Sequence, residues 1–502
     1  MDTIALFDGF QVPLTSFGPE DSEWNQFETN ETETDVTPRH PHSPLVQKGS
    51  IVLLGAPGTG KILWLYYVLI ERLLRRLPTF FQTQSDSFTF WCEGGVFDMH
   101  FTRNWTVICG NIMDNPISYD FWYLVDSNKD LGHHHATIRM TNSRIVQTSS
   151  PRQDWVDWTR KTSRAMYKWH MNPSSLRERL VMRQFQKNTA TVEQDTIFYE
   201  RFGPSTRPLF PFAHDPNIFE AKLISKLENI DYPTLDTFVT RTYASNLPDD
   251  SVSHRIFGIY PGEKRWEVQI KIFTRHVYDL LKEAFGDRWE PNLRDIYRRF
   301  KSHAATHGSA QYILEDQLHD VLTFGGKWKL TRLTSIRRES KSKKVVYNAS
   351  YNADDQNHHQ LVMGLNTSIV GGEPMDWWYK PGYYRPVDSP NRAAMNSFVV
   401  NPKNKTVYAF QFTVAEEHDV KAGGMQWLES TYPEYERHYF VFSDNDHINV
   451  LVQKSYDHIW TSRWYVRVGE NQLFREVDIG EGGGANSLFG QLLKALFMGN
   501  RR

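Results

Sequence analysis

The stretch Ile51-Val-Leu-Leu-Gly-Ala-Pro-Gly-Thr-Gly-Lys61 decides how the chain reads. Its first four residues are a short, continuous apolar run ending at glycine, as in a strand buried on both faces of a parallel sheet. Gly55 to Lys61 then fits the spacing G-x-x-x-x-G-K. Glycines let the backbone curl until successive N–H groups point inward, where they can hold phosphate oxygens. The pattern next predicts a helix over 61–77, closed by Pro78. Its N-terminus adds partial positive charge at the same spot. Gly55, Ala56, Pro57, Gly58, Thr59, Gly60, Lys61 and Ile62 are therefore the candidate phosphate cradle. The Lys61 ammonium would reach the β- and γ-phosphates of ATP or GTP. A glycine turn without a ligand is the competing reading. The lysine and the strand–loop–helix setting argue against it.

Ile62 stands where a Ser or Thr hydroxyl normally meets Mg²⁺. Phosphate binding needs the N–H groups and Lys61 more than that hydroxyl. Nucleotide binding with weakened or lost turnover is therefore expected, with Thr59 as a substitute hydroxyl. Further along, Phe121-Trp-Tyr-Leu-Val125 runs into Asp126, an acid at the end of an apolar strand. Such an acid holds Mg²⁺ through water; a turn-opening Asp is the plainer alternative. Ser127 follows it, so no second acid is there to polarise water. A strand over 144–150 ends in Thr148-Ser149-Ser150, which makes Ser149 the candidate γ-phosphate sensor. Arg207, in Phe202-Gly-Pro-Ser-Thr-Arg207, reads as a sensor arginine or as an ordinary loop arginine.

Strands over 79–83, 87–92, 119–126 and 144–150, with helices between, predict an α/β fold: a P-loop NTPase parallel sheet with helices on both faces. The expected organisation is an acidic, mostly disordered extension over 1–48, the P-loop domain over 49–255 and a helical connector over 256–305. A second α/β domain over 306–479 follows, then a Gly-rich joint and an amphipathic helix over 480–502. Residues 1–50 carry nine acids against two bases, a net charge of 2 − 9 = −7. Residues 266–300 read as helical, and a helix is expected over 309–322. Strands are expected over 327–333, 344–347, 397–400, 406–414 and 437–442.

Composition sets outer limits. The chain has 502 residues, 40% hydrophobic and 14% aromatic, enough for real cores and unlike a disordered or collagen-like chain. Lys plus Arg number 57 against 59 acids, a net charge of −2, which excludes a globally basic nucleic-acid coat but not a local patch. Cys92 and Cys109 are too few for a disulfide framework and fit a reducing compartment. The N-terminus has neither a basic n-region nor an apolar h-region, so no secretory signal is recognisable. The most apolar run, 62–70, stops at Glu71-Arg72, short of the roughly 20 residues of a membrane span. An intracellular protein, cytoplasmic or nuclear and without a membrane partner, is expected.

The order of landmarks then matches a family. They are IVLLGAPGTGK from Ile51, PTFFQ from Pro78, WYLVDSN from Trp122, IVQTSSPR from Ile145 and FGPSTRP from Phe202. The distal half adds AQYILEDQLH from Ala310, FGGKWKL from Phe324, AAMNSFVV from Ala393 and VYAFQFTVAEEHDVK from Val407. Over roughly residues 45–470 the chain resembles the Crinkler-type effectors and the retrotransposon hot spot proteins. The P-loop alone is unspecific; its combination with the distal Q-x-T-x-x-x-x-H segment is far more specific. The resemblance implies a P-loop NTPase of STAND/AAA-like type fused to a restriction-endonuclease-like domain, in an intracellular effector or chromatin-associated factor of transposon origin. It also implies a helix acid at Glu315, with Asn396 at the Asp position and Gln411 and Thr413 in the Glu/Gln-x-Lys element. Such nucleases hold Mg²⁺ with carboxylates and orient water with the lysine. Asn396 lacks the carboxylate charge and Thr413 lacks the ammonium, so a degenerate, non-cutting site is expected. His418 falls where the family also shows a histidine, or it is a helix-start histidine behind Glu416 and Glu417.

Three other features stand out. Residues 152–187 carry nine bases against three acids, with Trp155, Trp158 and Trp169 interleaved. That pattern suits nucleic-acid backbone and bases, or a solvated helix face with buried tryptophans. The basic run 337–344 reads as a nuclear localisation signal, a phosphate patch or a hairpin tip. His133-His-His135 lacks partners at zinc-ligand spacing and reads as loop. The expected function is an ATP- or NTP-binding regulatory protein using Mg²⁺, whose distal domain binds DNA, chromatin or a protein without cutting. An active NTPase–nuclease and a non-enzymatic scaffold are the rivals. The oligomeric state is left open.

Overall fold

The computed structural model describes residues 49–56, 58–100, 121–127, 131, 143–149, 166–187, 190–231, 233–235, 253–262, 264–286, 289–302, 306–336, 343–352, 359–363, 368–371, 382–386 and 395–474. The expected extension over 1–48, the joint and helix over 480–502, Pro57, His133-His-His135, Trp155, Trp158 and most of the basic run 337–344 lie outside them. The chain is α/β, with mixed sheets. It divides into two compact units, one of residues up to Phe219 with 244–269, the other of residues 220–243 with those from Ile270 onward. No helix among the described residues is long and apolar enough to cross a membrane.

The first unit is built on β1 (Ser50–Leu54), β2 (Thr79–Gln82), β3 (Ser87–Cys92), β4 (Gly95–His100), β5 (Trp122–Asp126), β6 (Arg144–Ser149) and β7 (Met166–His170). Their order in the sheet is β4-β3-β2-β5-β6-β1-β7. From β2 to β7 every pairing is parallel, while β2, β3 and β4 form an antiparallel meander. The sheet expected to be parallel is therefore mixed, with an antiparallel edge. Only a four-residue turn, 83–86, joins β2 to β3, and a parallel return needs a crossover of a dozen or more residues. Helix α1 (Lys61–Leu74) lays Leu65, Val68 and Leu69 on Phe81, Trp122, Leu124 and Val146. The opposite face buries Val52, Leu54, Phe80, Tyr123, Val125 and Ile145. β1 and β5 are buried throughout, which is why they read as unbroken apolar runs. The helices α2 (Leu176–Arg183), α3 (Val192–Phe202) and α4 (Thr206–Phe212) follow.

After two further helices, over Pro216–Leu227 and Ser253–Ile256, come the strands β8 (Phe257–Pro261) and β9 (Val268–Ile272). β9 corrects the helical reading of 266–300: Val268, Ile270 and Ile272 alternate with Gln269 and Lys271, a strand period. The helices begin after it, as α5 (Arg275–Phe285) and α6 (Trp289–Lys301). Thr274 caps α5 by accepting from the Val277 N–H at 3.2 Å.

The second unit continues with α7 (His307–Phe324), β10 (Gly326–Arg332), β11 (Thr334–Ile336), β12 (Lys344–Ser350), β13 (His359–Met363), β14 (Ser368–Gly371), β15 (Gly382–Pro386), β16 (Ser397–Asn401), β17 (Thr406–Phe412), β18 (Glu417–Asp419), α8 (Ala422–Thr431), β19 (Glu436–Ser443), β20 (His447–Gln453) and β21 (Ser462–Arg467). Eight strands form a mixed sheet in the order β13-β10-β21-β19-β17-β16-β15-β14, and four form β11-β12-β20-β18. β16 and β17 are an antiparallel hairpin; β17 crosses through α8 to parallel β19. The core gathers Phe398, Val407, Ala409, Tyr432, Tyr439 and Val441.

Leu65 is fully buried between α1 and the sheet. Leu65→Ala is expected to cost about 2–5 kcal/mol of stability through lost burial and the cavity left behind. Urea unfolding measures it; a loss below about 1 kcal/mol would deny that packing.

Candidate functional site

In the first unit, β1 delivers the loop and α1 carries its lysine. Gly58 and Gly60 have φ of 84° and 85°, a left-handed backbone that glycine adopts without strain. Gly55 is tight for a different reason: a Cβ there would lie 2.9 Å from Thr59 Oγ1 and 3.3 Å from Met171 Cβ. Thr59 is buried and donates its hydroxyl to the Ala56 carbonyl at 2.9 Å. Lys61 Nζ donates to the carbonyls of Gly55 and Ala56, both at 2.9 Å. Burial pulls the Lys61 ammonium down to about 8, with Asp126 pushing it up and Arg207 pulling it further down. Ile62 is 48% exposed and brings no polar atom to the loop.

Asp126 is buried at the end of β5 and accepts from Thr148 Oγ1 at 3.1 Å. Burial raises its carboxyl, against the lowering effects of Thr148 and Lys61. The register sets this pairing, with Asp126 opposite Thr148 on β6 and Leu54 of β1 opposite Ser149. Thr148, then, is the strand-end hydroxyl that touches the acid, while Ser149 is buried beside the end of β1. Ser127 accepts from Gln147 Nε2 at 2.6 Å. Arg207, exposed near the start of α4, is close enough to Lys61 for the two charges to repel. Asp126 and Arg207 thus both act on the charge of Lys61.

In the second unit, α7 carries Glu315 to the open end of the β16–β17 hairpin. Asn396 Nδ2 donates to Glu315 Oε1 at 2.8 Å, and Asn396 Oδ1 accepts from the Phe412 N–H at 2.7 Å. Gln411 Nε2 donates to the Phe412 carbonyl at 3.2 Å. Thr413 is buried and accepts from the Ala415 N–H through its hydroxyl at 3.1 Å. Glu315, Asn396 and Gln411 therefore meet around Phe412, and Thr413 directly follows it.

Two participants were absent from the sequence reading. Gln311 donates to both Glu315 Oε1 and the Phe412 carbonyl at 2.8 Å, and accepts from the Val414 N–H at 3.1 Å. Its place four residues before Glu315, on the same helix face, was the available signal. Arg275 lies 3.9 Å from Glu315 Oε2 and also pairs with Asp316. Nothing in the sequence links it to Glu315. Asp316 takes further bonds from Lys282 at 3.0 Å and Arg385 at 3.4 Å. Burial pushes the Asp316 carboxyl up, but Arg275 and Lys282 outweigh it and hold it low. Burial wins at Glu315, whose carboxyl is raised despite Gln311, Arg275 and Asn396. His418 is not at a helix start: it lies in β18, paired with β20, and burial pulls its ring down to about 4. Among the described residues, no group of three or more His, Cys, Asp or Glu is arranged to hold a metal ion.

No protein-family model matches the chain, and no curated protein sequence matches it.

A carboxyl raised by folding contributes stability that is complete at low pH and is lost as pH rises through its folded value. Glu315→Gln keeps the shape and removes the charge from this part-buried position. It is expected to raise Tm at pH 7, with the gain disappearing near pH 4. Thermal melts across that range check the sign; a lower Tm at pH 7 would mean that the ionised form is the better-stabilised one.

Proposed function

We propose that the chain is an NTP-binding P-loop protein with weak or lost hydrolysis, whose second unit carries a degenerate nuclease-like cleft that binds phosphodiester backbone without cutting. The Lys61-bearing loop after β1 and Asp126 at the end of β5, near enough for the two charges to interact, carry the first half. One strand, β6, separates the strand leading into the loop from the strand ending in the acid. A triphosphate fits the donor set: loop N–H groups, the N-terminus of α1, and an ammonium bonded to two carbonyls that it would exchange for phosphate oxygens. Asp126 would hold Mg²⁺, which would neutralise phosphate charge. The fit for metal is partial, because Ile62 has no hydroxyl and the Thr59 hydroxyl is engaged by Ala56.

The second half rests on the neighbours of Glu315. Asn396 and Gln311 bond its Oε1 and Arg275 faces its Oε2, so its partners are amides and a guanidinium instead of the second carboxylate that a nuclease metal needs.

Isothermal titration of the full chain with ATP and GTP, with and without Mg²⁺, tests the first half. Lys61→Ala is expected to abolish binding. Affinity of the unaltered protein should fall about tenfold from pH 7 to pH 9 as a lysine near 8 loses its proton. Equal affinity in the variant would end this assignment.

Fluorescent DNA duplexes test the second half. Weak binding that drops steeply between low and moderate salt is expected, with no cleavage in Mg²⁺ or Mn²⁺. Cleavage that disappears in Glu315→Ala would instead make the protein a nuclease.

A further inference from the structure

We propose that the segment 4–17 of this chain docks on the outer face of α1. The helix is apolar on two opposed sides. Leu65, Val68 and Leu69 are buried on the sheet, whereas Ile62, Leu63, Tyr66, Tyr67, Ile70 and Leu74 are 42–75% exposed. At 3.6 residues per turn these six occupy one arc of about 140°. Scattered exposed leucines are ordinary, but a continuous stripe of six large apolar side chains is an interaction surface. A helix apolar all round belongs in an interior.

Topology points to the occupant. β1 and β2 run parallel in one sheet, and α1 is the crossover between them. The helix must therefore return toward the sheet edge at which β1 begins. Its exposed final turn, at Leu74, lies on the edge where the chain enters at Ser50. The 49 residues ahead of Ser50 reach on the order of 160 Å when extended, against about 21 Å for the length of α1. They carry Ile4, Leu6, Phe7, Phe10, Leu14 and Phe17, then Glu20, Asp21 and Glu23. Those acids complement Arg75 and Arg76 at the exit of α1, both exposed; Arg75 already pairs with Glu71 at 3.7 Å. The inference does not depend on nucleotide binding.

The test uses the full chain with Tyr67→benzoylphenylalanine, irradiated, digested and read by mass spectrometry. Cross-links to peptides from residues 1–24 are expected, in monomeric product and with a yield unchanged on dilution. Leu63→Glu with Ile70→Glu, both solvent-facing, should reduce that yield about tenfold, equivalent to about 1.4 kcal/mol of docking. A covalent dimer whose yield falls on dilution would assign the face to a second copy. Cross-links to another segment, or none at all, would equally overturn the proposal.

Discussion

Parallel pairing of β1, β6 and β5 is the constraint on which the first unit depends. Parallel strands in register bring all their carboxyl ends to one edge, and each return must be made by a crossover. The loop after β1, the hydroxyl near the end of β6 and the acid at the end of β5 therefore meet without any local sequence signal joining them. Binding crevices of open α/β sheets form at that edge for the same reason. In the second unit the antiparallel β16–β17 hairpin does related work. It sets the start of one strand beside the end of the next, so that Asn396 faces Phe412 and α7 needs to supply only Glu315 and Gln311.

The two sites handle buried charge in opposite ways. Lys61 is partly buried with the Gly55 and Ala56 carbonyls bonded to it, and burial loosens its proton. An ammonium in that condition gains from an incoming anion, since phosphate supplies both charge and acceptors. Asp316, by contrast, is surrounded by Arg275, Lys282 and Arg385 and is fully compensated. Removing one partner of such a group leaves an uncompensated buried charge, which costs far more than the pair contributes. The first is a charge resting on neutral carbonyls. The second is a joint between α5, α7 and β15.

Helix α1 links the glycine loop after β1 to the protein surface. Its inner stripe holds the sheet, its N-terminus faces the loop, and its outer stripe is apolar where a solvated helix would carry charge. These roles fall to one 14-residue element because a crossover helix has one end at each edge of the sheet.

By itself the sequence determined the local elements whose physics is local. Gly58 and Gly60 announce a left-handed loop, the run at Ile51 a buried strand, and the apolar run into Asp126 a second one. It misassigned 266–272, where the alternating Val268, Ile270 and Ile272 were overshadowed by the helical pattern that starts at Arg275. Tertiary structure alone decided the rest. The strand order, the antiparallel turn-back of β3 and β4, the nearness of Arg207 to Lys61 and that of Arg275 to Glu315 join residues tens to more than a hundred positions apart. Periodicity reports which face of an element is buried, not what it is buried against. Charges meet where sheets and crossovers bring them, and that is a property of the whole chain packed at once.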